Sequence, residues 1–173
     1  MSRGRPQTLM LPRTRRVRVA LDVNGRRHVL QIPPHHTLLD LLRAHLGLLG
    51  TKESCGEGVC GACTVLLDGR PINACVMLGA SAHGRSVTTV EGLSQDGTLH
   101  PLQLAFVECG AIQCGYCTPG MLLSAKALLD VCPAPSDEQI RQSLSGNLCR
   151  CTGFVKIIDA VRLAARRLAA GSG

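Results

Sequence analysis

Aromatic residues are nearly absent: Tyr116, Phe106 and Phe154 are the whole set, 2% of 173 residues, and there is no tryptophan. A protein that holds single-stranded nucleic acid by stacking bases on rings needs more of them. Nowhere does an apolar run approach the roughly 18 residues of a membrane span. Charged residues are scarce too, at 18%, where soluble domains typically have about 25%. That scarcity fits either a surface rich in Ala and Leu or one covered by partner chains. Acidic residues are missing from one stretch in particular, since residues 1–18 carry Arg3, Arg5, Arg13, Arg15, Arg16 and Arg18 and no Asp or Glu. Beyond it the two signs nearly balance, so the net charge of +7 belongs to an arm and not to a nucleic-acid-binding face. Without apolar periodicity, residues 1–16 read as a disordered basic arm. Arg15-Arg16 lacks the apolar segment and small-residue cleavage site of an export signal, so a reducing cytoplasmic location is expected. Ten cysteines in that compartment point to metal ligands and not to disulfides.

The chain divides in two. Val17–Val23 and Arg26–Ile32 alternate apolar and polar residues around Asn24-Gly25, the favoured hairpin turn because both central residues need positive φ. A helix is predicted from Leu38 to about Leu46, with Thr37 at its N-cap, Asp40 in its first turn and Gly47 beyond its end. Thr64–Leu67, Asp68-Gly69 and Pro71–Ala74 read as a second hairpin, and Ser86–Val90 as a short strand. Residues 17–90 are therefore an α+β half. Residues 91–97, with Gly92, Ser94 and Gly97, form a linker, and over 98–170 the period turns helical. Helices are expected over 101–109, from a Thr118 cap through about 131, from the Ser136–Gln139 capping box, and over 155–169 with Phe154, Ile158, Val161, Ala165 and Leu168 on one face. Four short helices of this kind make a small all-α bundle.

The chemistry lies in the cysteines. Cys55, Cys60 and Cys63 are spaced C-x4-C-x2-C, with Cys75 further on, which is the plant-type [2Fe–2S] spacing. Gly56, Gly58 and Gly61 let the loop wrap with its N–H groups turned toward a cluster's sulfurs. A zinc knuckle would pair C-x2-C with a second short-spaced pair, which this half lacks. Gly56–Gly61 also fits G-x-G-x-x-G, but with a helix before it and a strand after it the match is accidental. In the second half Cys114 and Cys117 are C-x2-C, and Cys149 and Cys151 are C-x-C, each pair preceding a helix whose N-terminus favours an anionic centre. Spacing alone leaves iron–sulfur and zinc both open there. Cys109 and Cys132, at apolar helical positions, are expected to be buried structural thiols. No C-x-H motif suggests a Rieske centre, and no Ser/His/Asp set or nucleotide loop stands out.

Four segments together resemble the small iron–sulfur subunit of the molybdenum hydroxylases, the xanthine oxidase, aldehyde oxidoreductase and carbon monoxide dehydrogenase family. They are Cys55–Cys63, Asn73–Cys75, Gln113–Met121 and Gly146–Gly153, in the family's order and with all eight ligand positions filled. The resemblance implies an N-terminal β-grasp, plant-type ferredoxin-like domain followed by an all-α four-helix bundle domain. It implies two [2Fe–2S] clusters: an outer one on Cys55, Cys60, Cys63 and Cys75, and an inner one on Cys114, Cys117, Cys149 and Cys151. By the same resemblance Gln113 and Cys151 lie against a molybdenum–pterin cofactor in a large subunit, and the outer cluster faces FAD in a medium subunit, within a dimer of heterotrimers. Phe154 stands where many relatives have Tyr, which leaves the ligands untouched. The chain would conduct electrons from molybdenum to flavin and leave substrate choice to its partner. A free-standing two-cluster carrier and a zinc-stabilised adaptor are the competing readings.

Overall fold

The computed structural model describes residues 15–94 and 96–170. The greater part of the expected basic arm, residues 1–14, lies outside the described residues, as does Gln95 of the expected linker. At the arm's end the Arg16 guanidinium donates to the Gln31 carbonyl at 3.0 Å.

Five strands form one mixed sheet: β1 (Val17–Val23), β2 (Arg26–Ile32), β3 (Thr64–Leu67), β4 (Arg70–Asn73) and β5 (Ser86–Thr88). Their order is β2-β1-β5-β3-β4, with β1 parallel to β5 and every other pairing antiparallel. Asn24 and Gly25 take φ of 53° and 76°, and Asp68 and Gly69 take 48° and 79°, so both tight turns are closed by the left-handed residues their sequences offered. Helix α1 (Leu38–Asp40) opens on a capping box in which Thr37 and Asp40 exchange hydrogen bonds, then loosens into a π turn over Leu41–His45. It drives Leu38, Leu39, Leu41 and Leu42 into a core shared with Val19, Leu21, Val65 and Val87.

Among the described residues, the second half holds four helices: α2 (Pro101–Glu108), α3 (Thr118–Val131), α4 (Asp137–Leu144) and α5 (Val155–Ala170). Their core contains Leu102, Phe106, Met121, Leu123, Ile140, Leu144, Ile157 and Val161. Strand β3 joins the two cores. All four of its residues are buried, and alternation turns Val65 and Leu67 toward the first core while Leu66 packs into the helical one.

Several expectations shift. Thr118 is the first residue of α3 and not its cap; Cys117 occupies the cap position, and its carbonyl accepts from the Met121 N–H at 3.1 Å. The buried stripe of α5 runs through Ile157, Ala160, Val161, Ala164 and Ala165, with Phe154, Ile158 and Leu168 at its margin. The last strand ends at Thr88, followed by a 3₁₀ turn over Val90–Gly92. Cys109 and Cys132 are half-buried at the C-caps of α2 and α3, not fully enclosed, because each sits where a helix ends.

Candidate functional site

The loop between α1 and β3 brings together Cys55, Cys60 and Cys63, and the chain leaving β4 adds Cys75. The Asn73 side-chain amide donates to the Gly58 carbonyl at 2.6 Å, and the Ala74 N–H to the Cys63 carbonyl at 3.3 Å, so the Cys75 segment is tied to the loop. The four thiols meet as pairs. The Glu57 N–H, 3.4 Å from the Cys55 sulfur, and then the Cys60 thiol and loop amides hold the Cys55 thiol down to about 6. Burial pushes the Cys63 thiol up to about 11, helped by the Cys75 thiol beside it, and Cys60 lies close enough to add charge repulsion. Backbone donors on one pair and enclosure of the other are what a partly buried, anionic sulfur centre requires. Val59 and Val76 stand exposed around this loop.

The second set is built by helix ends. Cys114 and Cys117 lie in the turn before α3, and Cys149 and Cys151 between α4 and α5. Again the thiols pair. The Cys114 and Cys151 sulfurs are 3.6 Å apart on the exposed side, and sharing that contact raises the Cys151 thiol. Cys117 and Cys149 are half-buried against the helical core. Burial and the neighbouring Cys149 push the Cys117 thiol up to about 12. Burial also opposes a Cys149 thiolate, but the Thr152 hydroxyl at 3.1 Å and the Thr152 N–H at 3.4 Å outweigh it and hold this thiol below its ordinary value. Gln113 is exposed next to Cys114, and Ile112, Tyr116 and Leu148 are exposed beside the same turns.

In both sets the thiols lie two by two. Two thiols for each of two irons is the donor set of a [2Fe–2S] centre, and both sets offer it.

The two loops also touch each other, which the motif reading did not reveal. The Leu148 N–H donates to the Cys60 carbonyl at 2.9 Å. The Asn147 amide nitrogen donates to the Gly61 carbonyl at 2.9 Å and the Thr64 hydroxyl at 3.2 Å, while its oxygen accepts from Ser124 at 2.7 Å. On another flank the Tyr116 hydroxyl donates to the Glu53 carbonyl. A clue in the sequence is the polar Asn147 two residues before a ligand candidate; its partners in the first half, Gly61 and Thr64, lie more than 80 residues away, beyond the reach of local pattern.

Comparison with known proteins agrees with this geometry. Residues 21–88 match the family of 2Fe-2S iron-sulfur cluster binding domains, and residues 89–162 a second family of [2Fe-2S] binding domains. The chain is 51% identical over 154 residues to the nicotinate dehydrogenase small FeS subunit of Eubacterium barkeri, covering 89% of this chain and 98% of that one. Its structure is similar to quinoline 2-oxidoreductase from Pseudomonas putida 86, with a TM-score of 0.87 and 45% identity over 92% of this chain and 99% of the matched one. It is similar as well to the aldehyde oxidoreductase of Desulfovibrio desulfuricans, with a TM-score of 0.85 and 47% identity, covering 88% of this chain and 17% of that longer one.

Proposed function

Because the chain belongs to the family of small iron–sulfur subunits of the molybdenum hydroxylases, we propose that Cys55, Cys60, Cys63 and Cys75 hold one of its two [2Fe–2S] clusters and Cys114, Cys117, Cys149 and Cys151 the other. The chain is the electron-transferring iron–sulfur subunit of an oxidoreductase. Bound at these thiols, the clusters supply the ability to take up and give back one electron at a time.

The residues around them keep that exchange inside the protein. Burial at Cys63 and Cys117 limits water at one side of each set. The Glu57 and Thr152 N–H groups, aimed at Cys55 and Cys149, offset negative charge on sulfur. The N-terminus of α3, directly after Cys117, adds partial positive charge there.

We read residues 17–90 as a β-grasp ferredoxin-like domain, 91–97 as a linker and 98–170 as a four-helix bundle domain, with residues 1–16 as a basic arm. Cys114 and Cys151 form the open edge of the second set, and Gln113 and Cys151 are assigned to contact with a molybdenum–pterin cofactor in a large partner subunit. The Cys55–Cys75 set is assigned to face FAD in a medium subunit, in a dimer of heterotrimers located in the cytoplasm. No helix among the described residues is long and apolar enough to cross a membrane.

The observation that carries this reading is the two-by-two pairing of eight thiols in two neighbouring sets. Its test is the metal content of the chain isolated gently with whatever accompanies it. About four irons per molybdenum, with a co-purifying large subunit, is the expected result. Iron without molybdenum on a chain that stays alone would overturn the subunit reading in favour of an independent carrier.

A further inference from the structure

We propose that Asn147 is a positioning residue that locks the two cysteine loops in one fixed relation and so sets the gap electrons cross between the clusters. The inference rests on the two-cluster reading and goes beyond it, since no ligand side chain contributes to the lock.

Asn147 is 4% exposed and sits two residues before Cys149. Its amide offers one acceptor and two donor hydrogens on a short stem, and the structure uses both ends. The oxygen is anchored in the helical half by Ser124 of α3, and the nitrogen reaches across to Gly61 and Thr64 on either side of Cys63. Aspartate could not donate, and serine is too short to span the seam. The neighbouring residue then closes the join: the Leu148 N–H binds the Cys60 carbonyl at 2.9 Å. A residue of one thiol set is thus one hydrogen bond from the residue beside a thiol of the other.

The backbones leave no slack behind this lock. A Cβ on Gly61 would lie 2.3 Å from the Gly146 carbonyl oxygen, and one on Gly120 would lie 2.2 Å from the Gly61 carbonyl oxygen. The first turn of α3 therefore rests directly on the first loop. Electron passage between two centres falls steeply as their separation grows, so a lock made of main chain and one buried amide fixes the rate along with the distance.

The test uses the full iron-loaded chain and its Asn147→Ala variant. With the amide gone, Ser124, Thr64 and Gly61 lose a buried partner. We expect exchange of the Leu148 amide hydrogen to quicken about tenfold, equivalent to ~1.4 kcal/mol. We also expect the magnetic splitting between the two reduced clusters to shrink and electron equilibration between them to slow, while iron content and each cluster's own resonance stay unchanged. Unchanged splitting together with unchanged Leu148 exchange overturns the proposal. Should Asn147→Ala fail to fold, Ser124→Ala, which keeps Asn147 but frees its amide, is expected to move both readouts the same way, and no movement there overturns it equally. Fewer than about four irons on the wild-type chain, or a single reduced-cluster signal, would refute the two-cluster reading instead. The Leu148 exchange comparison on the same chains reads the lock independently of the cluster signals.

Discussion

Gly61 and Gly69 share a left-handed backbone, with φ of 68° and 79°, but not a neighbourhood: nothing lies within 4 Å of a Cβ added at Gly69. Gly69→Ala should therefore cost little more than the left-handed conformation itself, about 1–2 kcal/mol. Gly61→Ala carries the same cost and in addition must displace the Gly146 carbonyl and the Asn147 amide. We expect Gly69→Ala to lower the thermal midpoint modestly with full iron retained, and Gly61→Ala to lower it further and lose iron. Equal effects of the two changes on midpoint and iron content would mean the seam yields easily. The sequence showed that Gly61 belongs to a loop wrapped around sulfur, because its spacing among the cysteines is local information. It could not show that the tightest contact of that glycine is with residues 146 and 147, since only folding brings the halves together.

Helix ends carry the next level of argument. His100 caps α2: its ring Nδ1 accepts the Leu102 N–H at 3.1 Å, and the Gln103 side chain returns a bond to the His100 N–H at 2.8 Å. Burial first, and the nearby Lys126 second, hold the His100 ring below its ordinary pKa. A cap that accepts with its ring nitrogen works only while neutral. Above the unfolded value of about 6.5, folded and unfolded chains are alike in protonation at this site and its stabilising effect is complete. As pH falls below that value the unfolded chain gains a proton the folded one resists, and the contribution is lost on passing the folded value. His100→Asn keeps a capping acceptor without a titrating ring. The thermal midpoint of the variant should fall less than that of the wild type between about pH 7.5 and 5.5; parallel profiles would show that the ring does not titrate with unfolding. Elements like this were legible to different depths. The N-cap at Thr37, the capping box at Ser136 and the turns at Asn24-Gly25 and Asp68-Gly69 were readable because each is encoded within four residues. The cap of α3 was displaced by one residue because the turn through Cys117 is shaped by the thiol set, with the Thr118 N–H bonded to Gly115 at 3.3 Å. The π turn after Asp40 was hidden because a leucine run has no feature separating it from an α-helix.

At the scale of the whole chain, both thiol sets meet the outside with a partly exposed pair and an apolar rim: Ile112, Tyr116 and Leu148 beside Cys114 and Cys151, and Val59 and Val76 around the Cys55 loop. Apolar rims of this kind suit docked protein faces. The family resemblance supplies the proposed direction, with entry at Cys114 and Cys151 and exit at the Cys55–Cys75 loop, and Asn147 and Leu148 between them. Two substitutions in the assembled enzyme separate this order from its reverse. Cys60→Ser removes a ligand from the exit set, so substrate should still reduce molybdenum and the Cys114–Cys151 centre while flavin reduction falls to near zero. Cys151→Ser removes one from the entry set, so reduction should stop at molybdenum, and neither the flavin nor the Cys55–Cys75 centre should change. Rapid-mixing absorbance for the flavin and low-temperature resonance for each iron centre read both cases. If substrate reduced the Cys55–Cys75 centre normally in Cys151→Ser, electrons would be entering through the first loop, and the open edge at Gln113 would have to serve the way out.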